Sequence, residues 1–174
     1  VADPTDEEVH VEITAASLCH TDVAIARGHI DEAYPLVMGH EGAGVVRAVG
    51  DAVNSVAPGD QVVLGRITCG RCEHCRAGNG QQCVKRETAK EAGSLRTGAI
   101  KFSRNDESLH HCHGVSSFSE HTIVDEEVAI KVPERLPAEQ ATLLGCGVFT
   151  GVGAVTNTAD IELGSSVVVF GVGG

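Results

Sequence analysis

The sequence of 174 residues predicts a mainly β domain with short helices. Three observations support this fold class. Glycine occurs 21 times, and glycine is a residue that tight turns between short strands need. Valine is abundant while aromatic residues make up only 3%, a composition that suits short strands. The apolar stretches are brief and end at Gly or Pro turns, so the pattern does not indicate a bundle of long helices.

Strands are predicted wherever a short apolar or alternating stretch lies between turn residues. The first alternates apolar and polar side chains, as a half-buried strand does. A Gly-Asp turn at 50–51 and a Pro-Gly-Asp turn at 58–60 separate the next two. The predicted strands are residues 9–13, 43–49, 61–64, 118–124 and 129–132.

The other segments carry weaker signals. Residues 84–113 are polar and charged, and we expect an irregular excursion on the surface there. Residues 137–144 predict a helix, since Pro137 stands near its first turn. Residues 165–170 form an unbroken apolar run that predicts a strand, and the Gly-Val-Gly-Gly turn at 171–174 follows it.

Charge and hydropathy exclude two classes of partner. The net charge of −11 argues against nucleic acid, because a phosphate-binding face needs clustered Lys and Arg. The acidity is also compatible with life in high salt. No apolar run approaches the roughly 18 residues that cross a membrane. The first nine residues lack the layout of a secretory signal, so we expect a cytoplasmic protein.

Four closely spaced cysteines form the sharpest local pattern. They follow the spacing Cys-x2-Cys-x2-Cys-x7-Cys, which suits a closed tetrahedral zinc site with no position left for substrate. Iron–sulfur ligation uses similar spacings, and disulfides are the remaining alternative. Such a zinc site would hold a lobe at 69–83 together without taking part in chemistry. The four are Cys69, Cys72, Cys75 and Cys83.

A second zinc site is indicated by residues that are far apart in the chain. Cys19 follows a predicted strand, His40 precedes one, and Cys146 lies in a Gly-rich turn. Two thiolates and one imidazole can hold zinc with a fourth position open to water or an alcohol. Each residue taken singly has a simpler interpretation, as a buried core cysteine or a hydrogen-bonded structural histidine.

Local motifs around these residues resemble those of the zinc-dependent medium-chain alcohol dehydrogenases, of the animal type and class III. The motif G-H-E-x2-G-x5-G-x2-V at 39–53 resembles the zinc signature of that family. C-H-T-D at 19–22 and L-G-C-G-V-F-T-G at 144–151 resemble its other two ligand motifs, and the cysteine quartet has the spacing of its structural zinc lobe. H-H-C-H-G-V-S-S-F-S-E at 110–120 resembles its long loop.

The resemblance implies a role for each matching residue of the metal site. Cys19, His40 and Cys146 would hold a catalytic zinc, which lowers the pKa of an alcohol so that hydride can leave its carbon. Glu41, Asp22 and Thr21 would complete the site: Glu41 would approach the metal during ligand exchange, Asp22 would brace His40, and Thr21 would hydrogen-bond the alcohol.

It also implies a nicotinamide cofactor, NAD or NADP, and two zinc ions per chain. His20 would lie near the cofactor pyrophosphate and Thr150 against the nicotinamide, and three glycines, Gly171, Gly173 and Gly174, would open the dinucleotide turn. Residues 1–150 would form a GroES-like catalytic domain. Residues 151–174 would supply a connecting helix and the first strand and turn of a Rossmann domain. Residues 1–174 alone would therefore be inactive.

The expected function is reversible hydride transfer between a primary or aromatic alcohol and its aldehyde, by a homo-oligomer when full length. Some positions depart from the family pattern. Ala24 stands where many members carry a relay histidine, and Gly65 replaces a bulky pocket residue, which favours wide substrates. Cys112 and His113 match pocket-lining positions.

Other functions remain open. A thiol-dependent formaldehyde dehydrogenase of the same family is the nearest alternative, although Glu87 occupies the place of the usual Arg, with Arg86 one step early. A non-enzymatic zinc-binding module is a second alternative. A redox-sensing thiol protein is a third, for which Cys112 would be the spare cysteine.

Overall fold

The computed structural model describes residues 1–159, 161–162 and 164–171, and it is mainly β with short helices. The strands are β1 Glu8–Ala16, β2 Leu36–Val37, β3 Gly42–Val49, β4 Gln61–Leu64, β5 Phe102–Arg104, β6 Glu107–His111, β7 His121–Asp125 and β8 Ala129–Lys131. The α-helices are α1 His20–Ala26, α2 Glu73–Arg76, α3 Val84–Ala92, α4 Ala138–Ala141 and α5 Gly147–Gly153. Within the described residues, no helix has the length and apolar character needed to cross a membrane.

Five antiparallel strands form the central sheet, in the order β7-β1-β3-β4-β8. All five were predicted, with bounds that differ by a few residues. β1 buries Val9 and Val11 completely, whereas the intervening His10 is half-buried, as the alternating pattern predicts. These valines pack with Val46 and Val62 from β3 and β4 in the main hydrophobic core.

The prediction of an irregular excursion at 84–113 is wrong. This segment begins with α3, which ends at Gly93 with a φ of +57°, and continues into the hairpin of β5 and β6. β6 also pairs in parallel with β2, giving a three-stranded sheet in the order β2-β6-β5. Leu95 and Phe102 anchor the segment by burial, but two isolated apolar residues give no periodic signal in the sequence.

The predicted strand at 165–170 does not form either. A strand needs a neighbour for its backbone hydrogen bonds, and no described segment of the chain pairs with these residues. Their apolar side chains stay in solvent, with Phe170 94% exposed. Gly171 has a φ of +85°, as a turn requires, while the predicted cofactor residues Gly173 and Gly174 lie outside the described residues.

The predicted helix at 137–144 forms in part. α4 starts directly after Pro137 and gives way to a 3-10 turn, Thr142–Gly145. Ala141 is fully buried in a second core cluster with Ala43 of β3 and Val63 of β4. This packing brings the segment before Cys146 against the central sheet.

Candidate metal centres

Cys19 lies at the start of α1, where Asp22 holds its backbone. The backbone N–H of Cys19 donates to Asp22 Oδ2 over 2.9 Å, and Asp22 is the third residue of the helix. A carboxylate in the first turn of a helix commonly accepts such a bond. Cys19 is half-buried, so its sulfur stays available at the edge of the sheet.

His40 is bound by the other oxygen of the same carboxylate. The distance between His40 Nδ1 and Asp22 Oδ1 is 3.0 Å, and both side chains are almost completely buried. Burial raises the pKa of Asp22, but the hydrogen bonds from His40 and Cys19 outweigh it and lower that pKa below its usual value. An ionised Asp22 accepts the Nδ1 proton and leaves Nε2 of His40 as the free ring nitrogen.

Two glycines of the G-H-E-x2-G motif allow the backbone on either side of His40 to pack closely against neighbouring segments. Gly39 has a φ of +93°, and a Cβ there would lie 2.6 Å from the backbone nitrogen of Phe118. Gly44 faces β1, where a Cβ would lie 2.1 Å from the carbonyl oxygen of Glu12. The glycines of the G-H-E-x2-G pattern therefore serve backbone packing around His40.

Ser17, which lies near Cys19, contacts the segments that carry the other two candidate ligands, His40 and Cys146. Ser17 Oγ lies 2.6 Å from the hydroxyl of Thr142, which is buried four positions before Cys146. The backbone N–H of Ser17 donates to the carbonyl of Glu41. Sequence reasoning assigned no role to Ser17 or Thr142, because a contact between residues so far apart leaves no local signal.

Cys19, His40, Glu41 and Cys146 converge at the edge of the sheet. One potential ligand atom from each lies within 4.8 Å of all the others. His40 Nε2 is buried with no hydrogen-bond partner among the described residues, a costly state for a polar atom unless it binds something. Two thiols, an imidazole nitrogen and a carboxylate are donors that zinc prefers, so the cluster fits the ion.

The cysteine quartet also converges, with its four sulfurs within 4.8 Å of one another. Backbone N–H groups point at these sulfurs, as in the bond from Cys72 to Cys69 Sγ at 3.4 Å. The N–H groups of Arg71 and Cys72 lower the pKa of the Cys69 thiol to about 6, which favours the thiolate that binds metal. All seven cysteines are free, so the disulfide alternative does not apply to this structure.

A pocket of about 480 Å³ opens beside Cys146. Thr150 lines it and lies 4.0 Å from the sulfur of Cys146. Gly65 lines it too, and a Cβ there would lie 2.8 Å from a methyl of Ile130, so the small residue widens this wall. Thr21 is half-buried and His20 exposed in the first turn of α1, outside the pocket lining.

Two arginines of this pocket were not assigned to it from the sequence. Arg66 donates from Nη2 to Cys146 Sγ over 3.4 Å, and Arg86 lies in the same lining. Arg66 stands three residues before Cys69 and belongs to none of the recognised motifs. Its position at the end of β4, beside Gly65, is what carries it to Cys146.

His113 lies close to His40, with 5.5 Å between the centroids of the two imidazole rings. Its Nε2 donates to Glu32 Oε1 over 3.0 Å. Burial, helped by the charge of Arg66, lowers the pKa of His113 to about 3, so the ring is neutral. Cys112 is fully buried, and burial raises its pKa to about 12, which argues against the redox-sensing alternative.

The sequence model of the alcohol dehydrogenase GroES-like domain family matches residues 5–134. The chain belongs to this family. The membership agrees with the mainly β architecture and confirms the fold class predicted from the motifs.

Curated relatives and solved structures extend the comparison. S-(hydroxymethyl)glutathione dehydrogenase of Escherichia coli O157:H7 is 45% identical over 99% of this chain and 47% of the relative. A solved alcohol dehydrogenase zinc-binding domain protein from Burkholderia ambifaria is 41% identical, covers 94% of this chain and 45% of that one, and superposes with a TM-score of 0.86. The chain thus spans about half the length of the relatives that it matches.

A third similar protein is benzyl alcohol dehydrogenase from Acinetobacter calcoaceticus. Its structure is 32% identical to this chain, covers 90% of this chain and 42% of its own, and has a TM-score of 0.76. Two of these similar proteins are therefore dehydrogenases named for different alcohols.

Proposed function

We propose that this chain is the zinc-binding part of a nicotinamide-dependent alcohol dehydrogenase that interconverts a primary or aromatic alcohol and its aldehyde. One observation carries the proposal. Cys19, His40 and Cys146 converge, and Nε2 of His40 is buried there without a described partner, while Gly145 and Thr150, close to Cys146, line a pocket. Three ligands that leave a fourth position open are typical of catalytic zinc, whereas structural zinc sites have four protein ligands.

Zinc bound there would supply a Lewis acid that lowers the pKa of an alcohol hydroxyl and polarises an aldehyde carbonyl. The chain's own residues prepare the site for it. Asp22 accepts the Nδ1 proton of His40 and so directs the Nε2 lone pair into the cluster. Glu41, which is 4% exposed, offers a further oxygen ligand. Thr21, at the start of α1, offers a hydroxyl that can hydrogen-bond the alcohol and accept its proton.

The quartet has a structural part in this proposal. Its lobe supplies Gly78, Gly80 and Gln81 to the wall of the pocket beside Cys146. A zinc ion held by Cys69, Cys72, Cys75 and Cys83 would keep this wall in place. The free cysteines and metal-binding thiols also suit a reducing compartment such as the cytoplasm.

The cofactor half of the site rests on Thr150 and His20. Thr150 lines the pocket within 4.0 Å of Cys146 Sγ, a place from which it can position a nicotinamide ring. His20 is exposed at the first turn of α1 and can meet a pyrophosphate. The chain spans about half the length of its relatives. The remainder of the longer protein would therefore bind most of the NAD or NADP and would form the contacts between subunits.

A thiol-dependent formaldehyde dehydrogenase is the second candidate. The Escherichia coli relative carries that kind of name, S-(hydroxymethyl)glutathione dehydrogenase, at 45% identity. Arg86 lines the pocket although it stands one residue before the position where class III members usually carry an arginine. This arginine can meet an acidic group of a thiol adduct.

Steady-state kinetics on the full-length, zinc-loaded protein separate these candidates. We expect the protein to reduce NAD or NADP with benzyl alcohol as substrate. If the second candidate function is correct, the protein will instead reduce the cofactor with formaldehyde, and only when glutathione is present. The Cys146→Ser variant should lose either activity, while Cys112→Ser serves as a matched cysteine control away from the cluster. A protein that oxidises neither substrate would contradict both candidates.

A further inference from the structure

Two histidines lie side by side on the face of β1 that points away from the main core. His10 belongs to β1, between the core residues Val9 and Val11, and His121 is the first residue of β7. His10 Nε2 lies 3.2 Å from His121 Nδ1, although the two residues are 111 positions apart in the sequence. The ring centroids are 5.1 Å apart, and both side chains are half-buried, so the pair is open to small solutes.

The register of the sheet brings the two rings together. β1 and β7 are antiparallel, and His121 pairs directly with Glu12, two residues after His10. Because side chains two residues apart lie on the same face of a strand, His10, Glu12 and His121 share one face. The bond from Arg47 is the main cause that lowers the pKa of Glu12, and the nearby His121 and His10 lower it further. An ionised carboxylate therefore stands beside the two rings and favours a cation there.

The spacing of the two nitrogens suits a shared metal ion. Bonds of about 2.0–2.1 Å from a transition metal to two imidazoles, at angles between octahedral and tetrahedral, place the nitrogens about 2.9–3.3 Å apart. The observed distance from His10 Nε2 to His121 Nδ1 is 3.2 Å. One of these nitrogens now donates a proton to the other, and each ring can carry its proton on the remaining nitrogen instead.

The protonation state of His10 also suits a ligand. Burial lowers the pKa of His10, and the neighbouring His121 lowers it further. The ring is therefore neutral at pH 7, as an imidazole must be to bind a metal.

We propose that His10 and His121 form a further metal site, which binds a divalent first-row transition metal through His10 Nε2 and His121 Nδ1. Imidazole nitrogens suit Ni²⁺, Cu²⁺ and Zn²⁺, whereas Mg²⁺ and Ca²⁺ prefer oxygen ligands. Two nitrogens with a nearby carboxylate hold an ion more weakly than four thiolates do, so dialysis empties this site.

The site is separate from both cysteine-containing clusters. Neither histidine belongs to them. His10 lies near the start of β1, whereas Cys19 follows its other end, and the six steps from His10 to Ala16 span roughly 20 Å. The proposal does not depend on the proposed dehydrogenase function.

A metal at this position would link two strands at one edge of the central sheet. β7 is the outermost strand on that side and pairs there with β1. The unfolded chain does not hold His10 and His121 together, because 111 positions separate them. The ion therefore binds the folded state preferentially and raises its stability by mass action.

Calorimetric titration of Ni²⁺ into the untagged, full-length, zinc-loaded protein tests the site. His10→Gln and His121→Gln should each bind Ni²⁺ at least about tenfold more weakly than the wild type, since each loses one arm of the chelate. His29→Gln, which removes a single exposed histidine, should bind it like the wild type. Saturating Ni²⁺ should raise Tm in the wild type and in His29→Gln but not in the other two variants. Wild-type affinity in His10→Gln and His121→Gln proteins that are folded, as judged by thermal unfolding without Ni²⁺, would overturn the proposal.

A second measurement needs no variant. Diethyl pyrocarbonate modifies accessible neutral histidines, and peptide mass spectrometry measures the modification at each position. Ni²⁺ should protect His10 and His121 together and leave the exposed His29 unprotected, while Mg²⁺ should protect none of the three. Equal modification of His10 and His121 with and without Ni²⁺ would contradict the shared site, as would equal protection by Mg²⁺.

Discussion

The Asp22 carboxylate serves two ligand segments at once. One oxygen accepts the backbone N–H of Cys19 and the other accepts Nδ1–H of His40, and the side chain is completely buried. This single carboxylate therefore fixes both the start of α1 and the orientation of the imidazole. Asp22 positions the ligands and is not itself in the ligand cluster.

Replacing Asp22 by Asn should weaken zinc binding at the proposed catalytic site by about 10- to 100-fold, since partners that orient ligands typically contribute this much. The amide keeps the size of the side chain but removes the negative charge that holds the Nδ1 proton. Competition with a chromophoric chelator measures the loss, and Asp51→Asn, at an exposed position, is the matched control. Equal zinc retention by both variants would show that Asp22 has no part in the metal site.

Asp125 carries a second buried carboxyl whose environment differs. Burial raises its pKa to about 6 from a usual 3.8, and the backbone N–H of Arg96 opposes the rise only in part. The side chain of Arg96 lies closer to Glu7 and to Glu127, the latter at 2.7 Å, than to Asp125, whose Oδ1 is 4.0 Å from Arg96 Nε. Asp125 therefore holds a proton in the folded protein at a pH where the unfolded chain has released it.

The sign of this shift predicts a pH dependence. Between about pH 4 and pH 6 the folded state binds more protons than the unfolded state, so its free energy of unfolding falls as pH rises. Asp125→Asn lacks this proton, and relative to it the wild type should lose about 2 kcal/mol between pH 4 and pH 7. Urea unfolding of both proteins at each pH measures the difference. A constant difference across this range would mean that folding leaves the pKa of Asp125 unchanged.

The convergence of Cys19, His40 and Cys146 was predictable from sequence at the residue scale, whereas their neighbours were not. These three lie in short motifs whose residue types a bound metal would constrain. Ser17 and Arg66 act through contacts with Thr142 and Cys146 that only the folded chain creates. Serine and arginine at those positions have many ordinary uses, so the sequence alone gave no reason to single them out.

At the scale of elements, the lobe between Cys69 and Cys83 has no hydrophobic support of its own. None of the residues from 70 to 82 is buried, and the lobe contains only α2 and one 3-10 turn, Gly80–Gln82. A segment without buried apolar area cannot offset the entropy of ordering its backbone. The metal is therefore the expected source of its stability.

Removing zinc should unfold this lobe while the sheet stays folded. With excess chelator, we expect trypsin to cleave after Arg71 or Arg76, both exposed in the lobe, before it cleaves after Arg47 of β3. Mass spectrometry of the first fragments identifies the sites, and added zinc should restore resistance. First cleavage at Arg47, or equal cleavage with and without chelator, would show that the lobe does not depend on metal.

The elements themselves were predictable where a regular pattern coincided with burial. β1 shows an apolar and polar alternation that its burial follows, and β4 is an apolar run enclosed by the sheet. α3 and the β5–β6 hairpin have mostly exposed residues, so their sequence looks like a loop. Residues 165–170 show the converse, since an apolar run predicts a strand that has no described partner to pair with.

For the whole molecule, the central sheet explains how distant residues form one site. Cys19 follows β1, His40 precedes β3, and the segment before Cys146 packs on β3 and β4. β1 and β3 are adjacent and antiparallel, so the end of one lies beside the start of the other. The fold class was predictable from the motifs because each motif lies where the sheet presents a ligand.

Zinc analysis tests the central claim, that the chain has one open and one closed zinc site, most directly. After dialysis, the protein should contain two zinc ions per chain, with one lost in Cys146→Ser and the other lost in Cys75→Ser. Cys112→Ser, which removes a buried cysteine outside both clusters, should retain two. One zinc ion in the wild type that Cys146→Ser leaves in place would contradict the account.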